Sequence, residues 1–124
     1  MKSCKLYALC IFLVGLNLVL AIPFSSAYQI KYYGKEKVNI SFIDKIPTKY
    51  FDGVRVIRIY DSNVYHKGRY FANGVIDIYC KEKYCFEDTL VHELTHHQQW
   101  IYGLKLNHNF TFMYAQEVIL SEIN

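Results

Sequence analysis

Residues 86–103 of the chain read FEDTLVHELTHHQQWIYG. One set of side chains in this stretch recurs three and four positions apart, as along one face of a helix: Leu90, Val91, Leu94, Gln98 and Ile101. The spacing predicts a helix of about four turns over residues 86–102. Gly103 is suited to ending that helix. Glu87 and Asp88 are expected in its first turn, where the helix dipole favours negative charge.

The residues around this helix predict an α+β fold, with a small mixed β-sheet before it and a second helix after it. Four segments have the apolar pattern of strands: 28–33, 38–43, 54–60 and 75–80. Residues 54–60 are apolar on both faces at several positions, which predicts a central strand. Residues 47–52 predict a helical turn or loop, and residues 67–68 a turn. The second helix is expected from Asn109, a good N-cap residue, to Ile123.

Length and composition limit the class of protein. The 124 residues allow one domain. Hydrophobic residues make up 52% of the chain and aromatic residues 17%, which is too much for a disordered protein. The formal net charge is only +3 and the basic residues are scattered, so no nucleic-acid partner is expected.

Residues 1–27 have the features of a secretory signal peptide. Two lysines precede an apolar run over residues 6–22, and small residues follow up to Ala27. We therefore expect cleavage after Ala27, a mature domain over residues 28–124, and a secreted or extracytoplasmic location. The alternative is an uncleaved membrane anchor at residues 6–22, although a span needs about 20 apolar residues.

Cysteine usage predicts one disulfide. Cys4 and Cys10 leave with the signal peptide, and Cys80 and Cys85 remain. An even number of cysteines in an exported chain predicts that they pair. A zinc-binding cysteine pair is the alternative, but such pairs usually need two more soft ligands, and the mature chain has no second pair.

The predicted helix over residues 86–102 contains HELTH at residues 92–96, an H-E-x-x-H pattern. Residues four apart share one helix face, so the imidazoles of His92 and His96 can reach one Zn²⁺ ion. Glu93, offset by one residue, can take a proton from a water molecule that the metal activates. The alternative is a polar, solvated helix face. That alternative must place two histidines and a glutamate on the buried side of an apolar helix without a partner, which is costly.

Two residues are candidates for the third protein ligand that a catalytic zinc site usually has. His108 follows His96 by twelve residues, and Glu117 follows it by twenty-one. A third pattern, in which H-E-x-x-H is extended by x-x-G-x-x-H, is excluded because Gln99 and Tyr102 occupy the required positions.

Four parts of the chain resemble SprT-like zinc metallopeptidase domains and related zincins: residues 68–79, 89–100, 103 and 108–112. In SprT-like domains the H-E-x-x-H helix is followed by a short loop and H-x-x-x-F, whose histidine is the third zinc ligand. The resemblance implies that His108 is this ligand, that Asn109 has the capping role, and that Phe112 packs the second helix.

A competing resemblance, to minimal gluzincins, implies Glu117 as the third ligand instead. Helix geometry favours His108, because it projects within about 60° of the centre of the apolar stripe of the second helix, whereas Glu117 points well away from that stripe. The predicted metal ligands are therefore His92, His96 and His108, with Glu117 as the alternative to His108.

These features predict a small exported zinc metallopeptidase with Glu93 as general base. Peptide as the substrate is implied by the SprT-like resemblance, and an extended peptide is expected to pair with an exposed edge strand at residues 75–79. One alternative is a non-catalytic exported protein whose fold zinc stabilises. Another is a membrane-anchored interaction module with a chance motif. His97 is expected either beside the ligands without binding the metal, or at the surface.

Overall fold

The computed structural model describes residues 28–34, 38–61, 67–80 and 82–123, and the predicted signal peptide lies outside them. The fold is α+β, as predicted. The described residues form four strands, β1 Gln29–Tyr33, β2 Val56–Tyr60, β3 Gly68–Phe71 and β4 Val75–Tyr79, and two α-helices, α1 Lys83–Ile101 and α2 Phe110–Ser121. Two short 3-10 helices, Ser41–Lys45 and Thr48–Phe51, lie between β1 and β2.

The strands form one mixed sheet in the order β1-β2-β4-β3. β2 is parallel to both β1 and β4, which confirms the prediction of a central strand there. β3 is antiparallel to β4. The expectation that residues 75–79 form an edge strand is wrong, because β4 is paired on both sides. Among the described strands, the edge on that side of the sheet is β3, whose first residue, Gly68, belongs to the predicted turn at residues 67–68.

The predicted strand at residues 38–43 is also wrong. The chain there turns into a 3-10 helix that buries Ile43, and Ile46 is buried just after it. The side chain of Asn39 accepts a hydrogen bond of 3.0 Å from the backbone N–H of Ser41, a local turn that competes with extended structure. Ile43 within the 3-10 helix and Ile46 directly after it both belong to the hydrophobic core.

The core lies between the sheet and α1. Ile57 and Ile59 of β2 and Ile76 and Ile78 of β4 alternate with residues that face the other way, and all four are fully buried. They belong to the same buried cluster as residues of α1 such as Leu90 and Leu94. α1 packs against β3 and β4 on one side and against α2 on the other, so it is the middle layer of the fold.

The opposite face of the sheet carries polar and aromatic side chains. Tyr33, Tyr60 and Tyr79 stack across three neighbouring strands with ring centroids 4.9 and 4.8 Å apart. The buried carboxylate of Asp77 accepts hydrogen bonds from the guanidinium of Arg58 on the neighbouring strand. The residues that alternate with these on β2 and β4 are buried in one cluster with α1, so the polar and aromatic face points away from α1.

The predicted disulfide between Cys80 and Cys85 is confirmed, with an S–S distance of 2.04 Å. It ties the end of β4 to the first turn of α1. The helix begins at Lys83, three residues earlier than predicted, so Glu87 lies in its second turn and the dipole argument for acidic residues in the first turn does not apply. Among the described residues, neither helix is long and apolar enough to cross a membrane.

Candidate metal centre

The first two histidines of the predicted site lie one turn apart on α1, on the side that faces α2. The ring centroids of His92 and His96 are 5.0 Å apart, and both side chains are half-buried. The i, i+4 spacing therefore brings the two imidazoles together, as the local helix geometry requires.

His108 reaches the same point from the loop that precedes α2. Asn109 caps α2, because its side chain accepts a hydrogen bond of 3.0 Å from the backbone N–H of Thr111. The side chain of Asn107 in turn accepts a hydrogen bond of 3.1 Å from the backbone N–H of Asn109. His108 is the middle residue of the turn over residues 107–109, directly before the capped start of α2. Its Nε2 atom lies 3.0 Å from Nε2 of His92 and 3.1 Å from Nε2 of His96.

The three imidazoles fit a zinc ion. Zn–N bonds of 2.0–2.1 Å in a tetrahedral site separate two nitrogen ligands by about 3.3 Å, so the two separations that involve His108 need to grow by only about 0.3 Å. Of the described residues, the group that can place nitrogen, sulfur or carboxylate donors around one ion consists of His92, His96 and His108. Three nitrogen donors leave the fourth tetrahedral position for water or substrate.

The protonation state of the site also suits a metal. Burial is the main cause that lowers the pKa of His92 from 6.5 to about 4, and the neighbouring His96 and His108 contribute to the same shift. Burial also lowers the pKa of His96. Both imidazoles are therefore uncharged at neutral pH, and the uncharged form is the one that binds metal.

Phe112 supports the three rings from the side of α2. Its ring centroid lies 4.7 Å from that of His92, 4.8 Å from that of His96 and 5.0 Å from that of His108. The side chain is buried. An apolar ring in contact with all three imidazoles limits their rotation without competing for a metal.

Glu93 lies at the boundary between α1 and β3. It is 5% exposed, and burial raises the pKa of its carboxyl group from 4.5 to about 7. A Cβ atom added to Gly68 would lie 3.1 Å from Oε1 of Glu93 and 2.4 Å from Cγ2 of Thr89. The missing side chain at Gly68 is therefore what lets β3 approach the helix beside this carboxylate.

The alternative ligand Glu117 lies elsewhere. Its side chain is exposed on α2, and it is outside the group of described donors that come together around one point. The structure thus brings His108, and not Glu117, to the two histidines of α1.

His97 is buried, and the expectation of a surface position is wrong. Its side chain is 0% exposed. Nε2 lies 2.6 Å from the backbone carbonyl oxygen of Asp52, which can only accept, so Nε2 carries the proton and donates. Nδ1 then accepts from the hydroxyl of Tyr70 at 2.7 Å. Both ring nitrogens therefore bind groups outside the three-histidine cluster. The two partners lie 27 and 45 residues away in the chain, so the local sequence pattern could not predict these hydrogen bonds.

Sequence reasoning did not find the role of Gln99, which it used only to exclude an extended motif. Oε1 of Gln99 lies 2.9 Å from Nδ1 of His96, the ring nitrogen that faces away from the cluster. The sequence feature that could have indicated this contact is the i, i+3 spacing of His96 and Gln99 on one helix.

Comparisons of the chain with protein-family models, with curated proteins and with solved structures find no match.

Proposed function

We propose that the chain is a small exported zinc-dependent metallopeptidase with a zincin-like domain over residues 28–124. In this proposal His92, His96 and His108 hold Zn²⁺ and Glu93 is the general base. The observation that carries the proposal is the convergence of three imidazoles, in which Nε2 of His108 lies 3.0 Å from Nε2 of His92 and 3.1 Å from Nε2 of His96. The buried carboxylate of Glu93 belongs to the residue directly after His92 on the same helix.

The donor set supports zinc as the metal. Imidazole nitrogens suit Zn²⁺, and three of them with one open position is an arrangement of catalytic sites, whereas purely structural sites have four protein ligands. When bound, zinc supplies a Lewis acid that polarises a carbonyl group and lowers the pKa of water towards ~7.

Glu93 supplies the proton transfers. A carboxylate beside a metal ligand can take a proton from a water molecule that the metal activates, and in the metal-free protein burial raises the pKa of this carboxyl group to about 7. It takes the proton from the attacking water and passes it to the leaving amine. Its position one residue after His92 keeps the carboxylate beside the ligands without making it one.

β3 offers a place for an extended peptide. It is the last strand of the described sheet on the side of α1, and Gly68 brings it against Glu93. A peptide added along the outer edge of β3 forms main-chain hydrogen bonds and passes close to the carboxylate. This edge replaces residues 75–79, which are paired on both sides, as the proposed substrate strand.

The Cys80–Cys85 disulfide supports the export part of the proposal, because disulfides persist in oxidising compartments. In this proposal the protein is attached to a membrane only if residues 6–22 remain uncleaved.

The test compares the wild-type protein with the Glu93→Gln variant. Wild-type protein purified without added metal should contain about one zinc per chain and should cleave an unfolded polypeptide. Glu93→Gln should bind zinc and should lose cleavage by at least about 100-fold, the lower end of what a general base contributes. Full cleavage by the variant, or wild-type protein without zinc, contradicts the proposal.

A non-catalytic role for zinc is the second candidate. It is favoured by the position of the three-histidine cluster, which connects α1 to the loop before α2 and would act as a staple in a small domain. Chelation separates the two roles. If chelation abolishes peptide cleavage and leaves the fold intact, the result supports the peptidase. If the protein never cleaves peptides and chelation unfolds it cooperatively, the result supports a structural role of zinc. If the chain binds no zinc, the result supports the alternative of a membrane-anchored interaction module with a chance motif.

A further inference from the structure

Gln99 is a buried amide that contacts both the first helix and the loop that carries His108. It is 1% exposed. Oε1 lies 2.9 Å from Nδ1 of His96. Nε2 donates to the backbone oxygen of Asn107 at 3.0 Å and to Oγ1 of Thr111 at 3.1 Å. One side chain thus links a proposed ligand on α1 to the residues on either side of the cap of α2.

The orientation of this amide follows from its partners. The carbonyl oxygen of Asn107 can only accept, so the atom that faces it is the NH₂ group. The hydroxyl of Thr111 donates its proton to Oδ1 of Asn109 at 2.7 Å, which leaves its oxygen free to accept from the second N–H of Gln99. The amide oxygen of Gln99 therefore faces His96.

The tautomer of His96 follows in turn. An amide oxygen can only accept, so Nδ1 of His96 carries the proton and donates it to Gln99. Nε2 is then deprotonated, and its lone pair points to the point shared with His92 and His108. The chain of hydrogen bonds from the cap of α2 thereby sets that the nitrogen of His96 that faces this point is the one without a proton.

We propose that Gln99 is a positioning residue of the metal centre, which holds His96 in the Nδ1–H tautomer and couples that tautomer to the loop that presents His108. The proposal rests on the proposed function, because it takes the three-histidine cluster to be a metal site. Residues that orient a metal-binding histidine in this way raise metal affinity by about 10- to 100-fold.

Gln98 provides a matched control. It is the neighbouring glutamine on the same helix, is also buried, and donates one hydrogen bond of 2.9 Å to the backbone oxygen of Tyr50. The substitutions Gln99→Leu and Gln98→Leu each remove a buried amide from α1, but only the first removes a partner of His96. A general loss of packing affects both variants.

The experiment measures two quantities in wild-type protein and in both leucine variants. The first is the tautomer of His96 in the metal-free protein, from long-range proton–nitrogen correlation spectra of ¹⁵N-labelled histidine. The second is zinc affinity, from competition with a chromogenic chelator. We expect wild type and Gln98→Leu to keep the Nδ1–H tautomer and similar zinc affinity. Gln99→Leu should show a mixture of tautomers and an affinity about 10- to 100-fold lower.

Gln99→Glu keeps the test decisive if Gln99→Leu does not fold. A carboxylate still accepts from Nδ1 of His96 but cannot donate to Asn107 or Thr111, so the tautomer should be retained while the loop loses its two bonds. An unchanged tautomer and unchanged affinity in Gln99→Leu, equal losses in both leucine variants, or loss of the Nδ1–H tautomer in Gln99→Glu overturns the inference. Wild-type protein that binds no zinc overturns the proposed function instead, and the tautomer still tests the role of Gln99.

Discussion

At the scale of single residues, burial rather than charge sets the chemistry of the site. Burial is the main cause that raises the pKa of Glu93 and lowers the pKa of His92. Both shifts favour the uncharged form, as desolvation always does. The result is an acid that titrates near neutral pH beside imidazoles that are ready for a cation.

Glu93→Gln is expected to change how the stability of the metal-free protein depends on pH. The folded pKa of about 7 lies above the ordinary 4.5, so the folded state keeps a proton that the unfolded chain releases between these values. This stabilisation is complete below the ordinary pKa and is lost as the pH rises through about 7. At about pH 8 the variant should be more stable than wild type by up to about 3 kcal/mol.

Urea unfolding in the presence of a chelator measures this difference. Near pH 4 the two proteins should have similar stability, because the carboxyl group is protonated in both states. Parallel stability curves for the two proteins over the whole range would show that Glu93 is not held in its uncharged form.

Two further variants compare the candidate third ligands. His108→Ala removes one of the three converging nitrogens and should weaken zinc binding by more than about 100-fold, beyond the loss expected for a residue that only orients a ligand. Glu117→Ala should leave zinc affinity unchanged. Both side chains are exposed, so neither substitution should unfold the chain. Competition with a chelator gives both affinities, and the reverse order would favour the gluzincin-like arrangement.

At the scale of elements, the contact between β3 and α1 positions the proposed base. β3 has only four residues and begins at Gly68, which lies against Thr89 and Glu93. A glycine is required there by close approach, since a Cβ atom would lie 2.4 Å from Cγ2 of Thr89. The sequence pattern of a short strand that begins with glycine is hard to distinguish from a turn.

Gly68→Ala should therefore destabilise the protein by about 1–3 kcal/mol through overpacking. Thr89→Ser removes the opposing methyl group and keeps the hydroxyl, whose oxygen lies 3.3 Å from Sγ of Cys80. The double variant should recover part of the loss, and chemical denaturation of the four proteins gives the coupling energy. Additive effects would mean that the strand moves away from the helix instead.

At the scale of the whole molecule, α1 carries two parts of the proposed site on two of its sides. His92 and His96 face α2, and Glu93 faces β3. The proposed centre therefore needs all three layers at once: the sheet for the base, the middle helix for two ligands, and the last helix with its preceding loop for the third.

Zinc should stabilise the folded chain because the proposed ligands converge only when α2 is docked. With free zinc at 100 times its dissociation constant, the free energy of unfolding should rise by about 2.7 kcal/mol. Urea unfolding with and without zinc measures the rise, and His108→Ala should show little of it at the same zinc concentration. Equal stabilisation of both proteins would place the metal elsewhere.

The sequence by itself determined the features that depend on short separations. The i, i+4 spacing of His92 and His96 on a helix, the cap at Asn109 and the disulfide between Cys80 and Cys85 involve residues within a few positions of each other. The sequence also predicted the α+β class and the central position of residues 54–60, because alternating and continuous apolar patterns indicate which faces of an element are buried. The function of the site stays a prediction.

Only the tertiary structure decided the features that depend on docking. It brought His108 rather than Glu117 to the histidines of α1, made β3 rather than residues 75–79 the edge, and buried His97 between Tyr70 and Asp52. In the tertiary structure, residues 38–43 also lie outside the strands of the sheet, and a 3-10 helix begins at Ser41. The periodicity of the sequence indicates which side of a helix or strand is apolar. Which other element packs against that side depends on how the loops allow distant elements to come together.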